Sequence, residues 1–232
     1  MKKIFIDAGH GGADSGAIGN GLKEKDVCLT IALKMRDYLN REYAEQIIKL
    51  SRTKDEYLTL KQRTNMANHW GANCFVSIHL NAGRGAGFES YIYNGKFADK
   101  RSTNRFRNHV HDEIIVGTKW QDRGKKEANF HVLRESSMTA ILTENGFIDH
   151  EPDARKLKSD GFLNTLAFAH TKGLALALGL KQRTSKKMHV IQKGETFWNL
   201  AIKYQSTVKK LRQLNPDVIP ERLQIGTRIR VK

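Results

Sequence analysis

Over its first 180 residues the chain alternates short apolar runs with segments of helical period, and that alternation leaves few folds open to it. Apolar runs predict strands at 2–6, 46–50, 74–79, 88–93, 129–133 and 139–143. Helical spacing predicts helices at 24–40, 59–70, 97–115, 151–158 and 161–178. In "EKDVCLTIALKMRDYL" the residues Val27, Ile31, Met35 and Tyr38 recur on one helical face. Thr59 followed by Gln62 has the spacing of a capping box, which opens the second helix. Strands alternating with helices in this way predict an α/β layer fold built on a largely parallel sheet.

After residue 180 the pattern changes. "KQRTSKK" (181–187) is polar and basic and reads as a linker, and 188–232 reads strand, helix, helix, strand. The charge changes with it. The chain carries a formal net charge of +16, yet the last 52 residues hold 13 Lys and Arg against 3 Asp and Glu. A compact basic unit therefore follows a nearly neutral body of residues 1–180, and an anionic partner is implied. No stretch of the sequence approaches the roughly 18 consecutive apolar residues that a membrane span requires. Two cysteines, Cys28 and Cys74, make no disulfide framework. "MKKIFIDAGHGG" starts like a signal peptide, but its apolar run is only three residues long, so cytoplasmic synthesis without a signal peptide is expected.

In open α/β sheets the ligand site lies beyond the carboxyl ends of the strands. His10 follows the first strand in "IFIDAGHGGADSGA", His79 and Asn81 follow "CFVSI", and Glu144 follows "AILT". Glu24 opens the first helix close by. Two histidines and a carboxylate form a known zinc set with a fourth position for water, and a second carboxylate can serve as general base. Within strand 74–79, Phe75, Ser77 and His79 share one face and Cys74 the other, which removes Cys74 from the set. Cys28 reads as a small buried apolar residue. The glycines do not spell a phosphate-binding fingerprint, because Asp14 stands at the sixth position of "GHGGAD". His109 and His111, two apart on a helix, point roughly 200° apart and cannot share an ion, so both read as surface residues. Asp7, Asp14 and Glu89 are candidates to orient the metal histidines, and Arg52, Arg63 and Arg134 read as structural ion pairs.

The motifs "DAGHGGADSGAIGNGLKEKDVCLTIA", "SRTKDEYLTLKQRTNMAN", "ANCFVSIHLNAG" and "ILTENGFIDH" together resemble the zinc-dependent N-acetylmuramoyl-L-alanine amidases of the amidase-3 family over residues 1–178. That resemblance implies a mixed sheet, Zn2+ on His10, Glu24 and His79, and Glu144 as catalytic acid and base. Ala8 and Thr139 stand where the family often has proline, and Leu80 where alanine is common. Residues 189–232 resemble a LysM module, a βααβ unit that binds N-acetylglucosamine-containing glycan. Its carriers are "HVIQKGETFWNLAIKY", "LRQLNP" and "LQIGTRIRV". The resemblances imply a catalytic domain at 1–180, a linker at 181–187 and a wall-binding module at 188–232.

Within that module Phe197, Leu200, Leu211, Leu214, Ile225 and Ile229 are expected to form a small core, with Trp198 beside them, and Thr196 and Thr207 to cap its helices. Its glycan groove is expected between the loop Gly194, Glu195, Thr196 and Phe197 and the loop at Asn215 and Asp217, with Asn81 contacting substrate in the catalytic domain. The implied activity is cleavage of the bond between N-acetylmuramic acid and L-alanine in bacterial peptidoglycan. The enzyme would act at the wall after release, as a phage endolysin or a host autolysin. Two rivals are a zinc deacetylase of wall sugars and a basic nucleic-acid-binding protein. The second leaves the imidazole and carboxylate set unexplained and lacks interleaved aromatic platforms, so no nucleic-acid partner and no membrane insertion are expected.

Overall fold

Strands that are apolar on both faces must be covered on both faces, and this sets the architecture. A computed structural model describes residues 1–183 and 188–231. The chain divides into two units, Met1–Lys181 and Gln182–Lys232. Residues 184–187 of the expected linker, and Lys232, lie outside the described residues.

In the first unit β1 (Lys2–Ala8), β2 (Gln46–Leu50), β3 (Cys74–Asn81), β4 (Phe88–Tyr93), β5 (Asp122–Ala128) and β6 (Thr139–Phe147) form one sheet in the order β2-β1-β3-β6-β4-β5. The first four strands in that order are parallel. β4 runs antiparallel to β6, and β5 runs parallel to β4. The sheet is therefore mixed and largely parallel, with helices on both faces. On one face α1 (Glu24–Glu42), α3 (Lys100–Thr118) and α6 (Asp160–Leu178) cover Ile4, Ile6, Val76, Ile78 and Ile141. On the other face α2 (Leu60–Trp70) and the short α4 (His131–Arg134) cover Phe5, Phe75, Ala140 and Leu142. Phe5 and Phe75 stack there with ring centroids 5.5 Å apart. The α5 helix (Glu151–Leu157) follows β6. No helix among the described residues is long and apolar enough to cross a membrane.

Local chemistry explains the helix ends. Thr59 and Gln62 form both halves of the capping box of α2, and Gly71 ends that helix at φ +67°. Ser159 caps α6 and Gly179 ends it at φ +64°.

The structure corrects three expectations about this unit. The fifth strand lies at Asp122–Ala128 rather than 129–133, and the expected stretch instead enters the α4 turn. "DRGKKEA" forms the outer strand of the sheet with no buried residue, so it carries no apolar signal. β6 continues to Phe147, because its ladder with β3 and β4 runs on through Glu144 and Asn145. His111 is buried rather than superficial: it lies between the Ser90 hydroxyl at 2.8 Å and Asp122 at 2.9 Å. His109 is exposed, as expected.

In the second unit β7 (Met188–Val190) pairs antiparallel with β8 (Arg228–Arg230), and α7 (Phe197–Lys203) and α8 (Val208–Leu214) lie between them in sequence. Ile191, Phe197, Leu200, Ala201, Leu211, Ile229 and Val231 form its core. Thr196 and Thr207 cap the two helices through their hydroxyls. Three core expectations fail. Leu214, at the end of α8, is only half-buried and lies outside the cluster. Ile225 is 66% exposed, because it precedes a turn at Gly226 rather than lying in the ladder, and Trp198 is 67% exposed. The α7 helix turns Phe197 and Leu200 inward, which directs the intervening Trp198 away from the core.

His170 on α6 is fully buried, with Nδ1 at 3.0 Å from the Leu166 carbonyl and Nε2 at 3.2 Å from the Thr143 hydroxyl. Burial pushes its pKa down to about 4 from 6.5. Below pH 6.5 the unfolded chain takes up a proton that the folded chain refuses, so stability present above pH 6.5 is lost as pH falls toward 4. This group alone accounts for roughly 3 kcal/mol. Urea melts between pH 7 and pH 4 are expected to show a shallower loss for His170→Gln than for the wild-type chain, by about that amount.

Candidate metal and catalytic site

Glycine at two positions clears the space in which the site is built. A Cβ on Gly9 would stand 2.5 Å from the His79 ring, and one on Gly16 would stand 2.6 Å from both Glu24 Oε2 and the His10 ring. His10 itself has φ +58°, a left-handed conformation that turns its side chain back toward the end of β3.

Two buried arginines hold that turn. Arg63 donates to Asp7 Oδ1 at 2.7 Å, the Ala8 carbonyl at 2.6 Å and the His10 carbonyl at 2.7 Å. Arg52 donates to the carbonyls of Ala8, Gly9, Lys25 and Lys54 at 2.7–3.2 Å. Only Arg63 forms the ion pair expected of it in the interior, while Arg52 works through carbonyls and Arg134 pairs with Glu135 at the surface.

His10, Glu24 and His79 meet at one point, with one ligand atom of each within 4.8 Å of the others. Glu24 Oε1 lies 3.2 Å from His10 Nε2 and 2.9 Å from His79 Nδ1. The rings stand nearly perpendicular, with centroids 4.9 Å apart. Glu24 also accepts from the backbone N–H of Leu80 and of Ala17, each at 2.9 Å. Burial would raise its pKa, but the bonds from His10 and His79 outweigh burial and hold it far below the usual carboxylate range. Asp14 lies 2.8 Å from the other nitrogen of His10. Burial lowers the His10 pKa, and Glu24 and Asp14 together more than reverse it.

Of the other residues expected beside the histidines, Asp7 instead binds Arg63 and the Ser77 hydroxyl, and Glu89 binds Asn81, Tyr91, Arg123 and Lys126. One residue beside Glu144, to which the motif reading gave no role, acts on the site. Asn145 donates to the His79 carbonyl at 3.0 Å and so holds the end of β3. Its place in "TENG" beside Glu144 was the available signal.

Glu144 is the cross-strand neighbour of His79 on β3 and of Glu89 on β4. Its Oε2 is buried and has no hydrogen-bond partner among the described residues. Burial first, and then the facing carboxylates of Glu24 and Glu89, push its pKa well above the usual range. A carboxylate whose proton affinity is raised in this way accepts a proton more readily than an ordinary one and can then pass it on. Two imidazoles and a carboxylate that converge on one point suit a divalent cation of zinc character, and the buried Oε2 of Glu144 has no hydrogen-bond partner among the described residues. Cys28 and Cys74 are buried, and burial pushes both thiols up, Cys74 to about 12, so neither joins the set.

In the second unit Gly194 and Asp217 are exposed, and Thr196 caps α7. Glu195 accepts from Gln192 N and also contacts His189 and Lys203. Phe197 lies in the core, and Asn215 bonds to the backbone of Leu211 and Arg230. Their side chains shape the two loops from behind.

Comparison with known proteins agrees with this architecture. Residues 4–175 match the N-acetylmuramoyl-L-alanine amidase family model (Amidase_3), and residues 189–232 match the LysM domain model. The chain belongs to the amidase-3 family and carries a C-terminal LysM domain. It is 53% identical over 194 residues to a sporulation-specific N-acetylmuramoyl-L-alanine amidase of Bacillus subtilis, covering 84% of this chain and 75% of the relative. It is 44% identical over 187 residues to the endolysin of Bacillus phage SPP1, covering 79% of this chain and 68% of that protein. Among solved structures, the catalytic domain of the amidase CwlV from Paenibacillus polymyxa superposes with a TM-score of 0.73 at 35% identity, covering 78% of this chain and all of that one.

The buried pair of Asp7 and Arg63 supports the His10 turn, and removing one partner leaves a charge without compensation. Arg63→Met is expected to cost about 3–5 kcal/mol in urea unfolding, and the double change with Asp7→Asn is expected to recover more than half of it.

Proposed function

We propose that the chain hydrolyses the amide between the lactyl carbonyl of N-acetylmuramic acid and the nitrogen of L-alanine in bacterial peptidoglycan, with zinc held by His10, Glu24 and His79. The observation that carries this reading is the convergence of those three side chains beside Glu144, whose Oε2 has no partner among the described residues. Zinc in such a set polarises a carbonyl and lowers the pKa of a bound water to about 7. The protein does the rest. Asp14 fixes the His10 ring, so that its opposite nitrogen points at the metal position. Leu80 N and Ala17 N hold the Glu24 carboxylate, so that it meets both rings at once. Glu144 takes the proton from the attacking water and passes it to the departing nitrogen, which lets an otherwise poor leaving group go as an amine.

The second unit is proposed to hold the enzyme on glycan, through the loops at 194–197 and 215–217. Phe197 and Asn215 contribute from beneath, and Gly194, Glu195, Thr196 and Asp217 come closest to the sugar. Its excess of positive charge adds attraction to anionic wall polymers, which salt weakens. Synthesis in the cytoplasm and release onto the wall at lysis, by a phage or by the host's own programme, complete the proposal. Both kinds of relative occur among the similar proteins.

Purified walls in a zymogram test the reading. Digestion should stop with a chelator, return with zinc and free intact stem peptides, whereas a deacetylase would free acetate. Glu144→Ala should retain one zinc per chain and digest nothing; digestion near the wild-type rate would refute the role given to Glu144. Gly9→Ala drives a methyl group against the His79 ring and should weaken zinc binding at least tenfold with the circular dichroism spectrum unchanged.

A further inference from the structure

Glu89 is 2% exposed and carries four partners, two of them cations that a regular strand could not bring together. Its Oε1 accepts from Asn81 at 2.7 Å and from the Tyr91 hydroxyl at 2.6 Å. Its Oε2 accepts from Arg123 Nε at 2.8 Å and from Lys126 Nζ at 2.5 Å. Arg123 and Lys126 are three apart on β5, and residues three apart on a strand point to opposite faces. The ladder between β4 and β5 shifts register between Phe88 and Ser90, and Gly124 sits in that shift at φ +93°. A Cβ on Gly124 would touch nothing within 4 Å, so the glycine is there for its backbone angle and not for space. The bulge turns both cations onto one carboxylate, a known use of bulges beside active sites.

The place of this cluster matters as much as its construction. Glu144 on β6 pairs with Glu89 on β4, and β5 lies one strand further out. At about 4.8 Å per strand the β5 backbone runs roughly 10 Å from that of Glu144 on the same sheet. Resting on the proposed amidase reading, we infer that Arg123 and Lys126, anchored by Glu89, form a subsite for a free carboxylate of the stem peptide, the group that leaves with the L-alanine nitrogen. Arg123 uses only Nε on Glu89 among its described bonds, which leaves the two terminal nitrogens of its guanidinium for a carboxylate. Its guanidinium carbon lies 4.7 Å from the centroid of the Phe147 ring, a second contact that holds it in place. Arg123 and Lys126 remain 30% and 37% exposed while the carboxylate beneath them is sealed. One buried negative charge under two half-exposed positive ones leaves a net positive rim.

The test uses the full chain loaded with zinc on one wall preparation stripped of phosphate polymers, in two forms: with its stem-peptide carboxylates free, and after their conversion to amides with carbodiimide and ammonia. The wild-type enzyme should show a KM at least tenfold lower on the free-acid wall. Arg123→Gln should raise KM at least tenfold on that wall and less than threefold on the amidated one, with kcat on the free-acid wall changed by less than threefold. Arg123→Lys should restore part of the difference, and Lys126→Met, which leaves the Arg123 contact in place, should give a smaller shift in the same direction. Equal wild-type KM values on the two walls, or a variant that loses kcat equally on both, would overturn the subsite while leaving the amidase reading intact. Failure of the wild-type enzyme to cut either wall would remove both.

Discussion

One buried carboxylate holds together segments that the chain keeps far apart. Glu24 begins α1, yet it accepts from the backbone of Ala17 and of Leu80 and contacts His10 and His79. A charge taken out of water persists only where enough donors meet it, and here four arrive from three segments. The rest of the rim follows from that demand. The His10 turn must close over the start of α1, so Gly9 and Gly16 give up their side chains, and Arg52 and Arg63 take the carbonyls that the turn leaves unpaired. The parallel pairing of β1 with β3 then brings His79 to the same point.

Much of this was legible in the sequence because its signals are local. Apolar strands ending in His10, His79 and Glu144 placed those residues on one rim, and Thr59 with Gln62 announced the start of α2. The reading failed where the signal was not local. β5 has no apolar face, because an edge strand borrows its place from its neighbour, so "DRGKKEA" carries no strand signal. His111 passed for a surface residue because its partners, Ser90 and Asp122, come from two other strands. Arg52 passed for half of an ion pair because a guanidinium is equally served by carbonyls, which leave no mark in a sequence. Asn145 stood beside the catalytic candidate without its role being visible, since it acts on the backbone of His79.

The second unit shows the same division. Its caps at Thr196 and Thr207 and most of its core could be read from spacing. Trp198, Leu214 and Ile225 could not, because in a unit of this size a helix turn, a helix end or a glycine turn decides whether an apolar residue faces in or out. The outcome is an indole set on the surface next to the loop Gly194–Phe197, an apolar plate of the kind that suits the face of a sugar ring.

β5 is one of the two edge strands of the sheet, pairing with β4 and with no second strand among the described residues, and five of its seven residues are charged. Unmatched strand borders invite other chains to add on, and charged side chains deter them. Arg123, Lys125, Lys126 and Glu127 thus guard solubility as well as the rim. A lineage adapting to walls with fewer acidic groups could not simply trade these cations for neutral residues, because the same exchange would leave the molecule with a sticky margin and a tendency to self-associate.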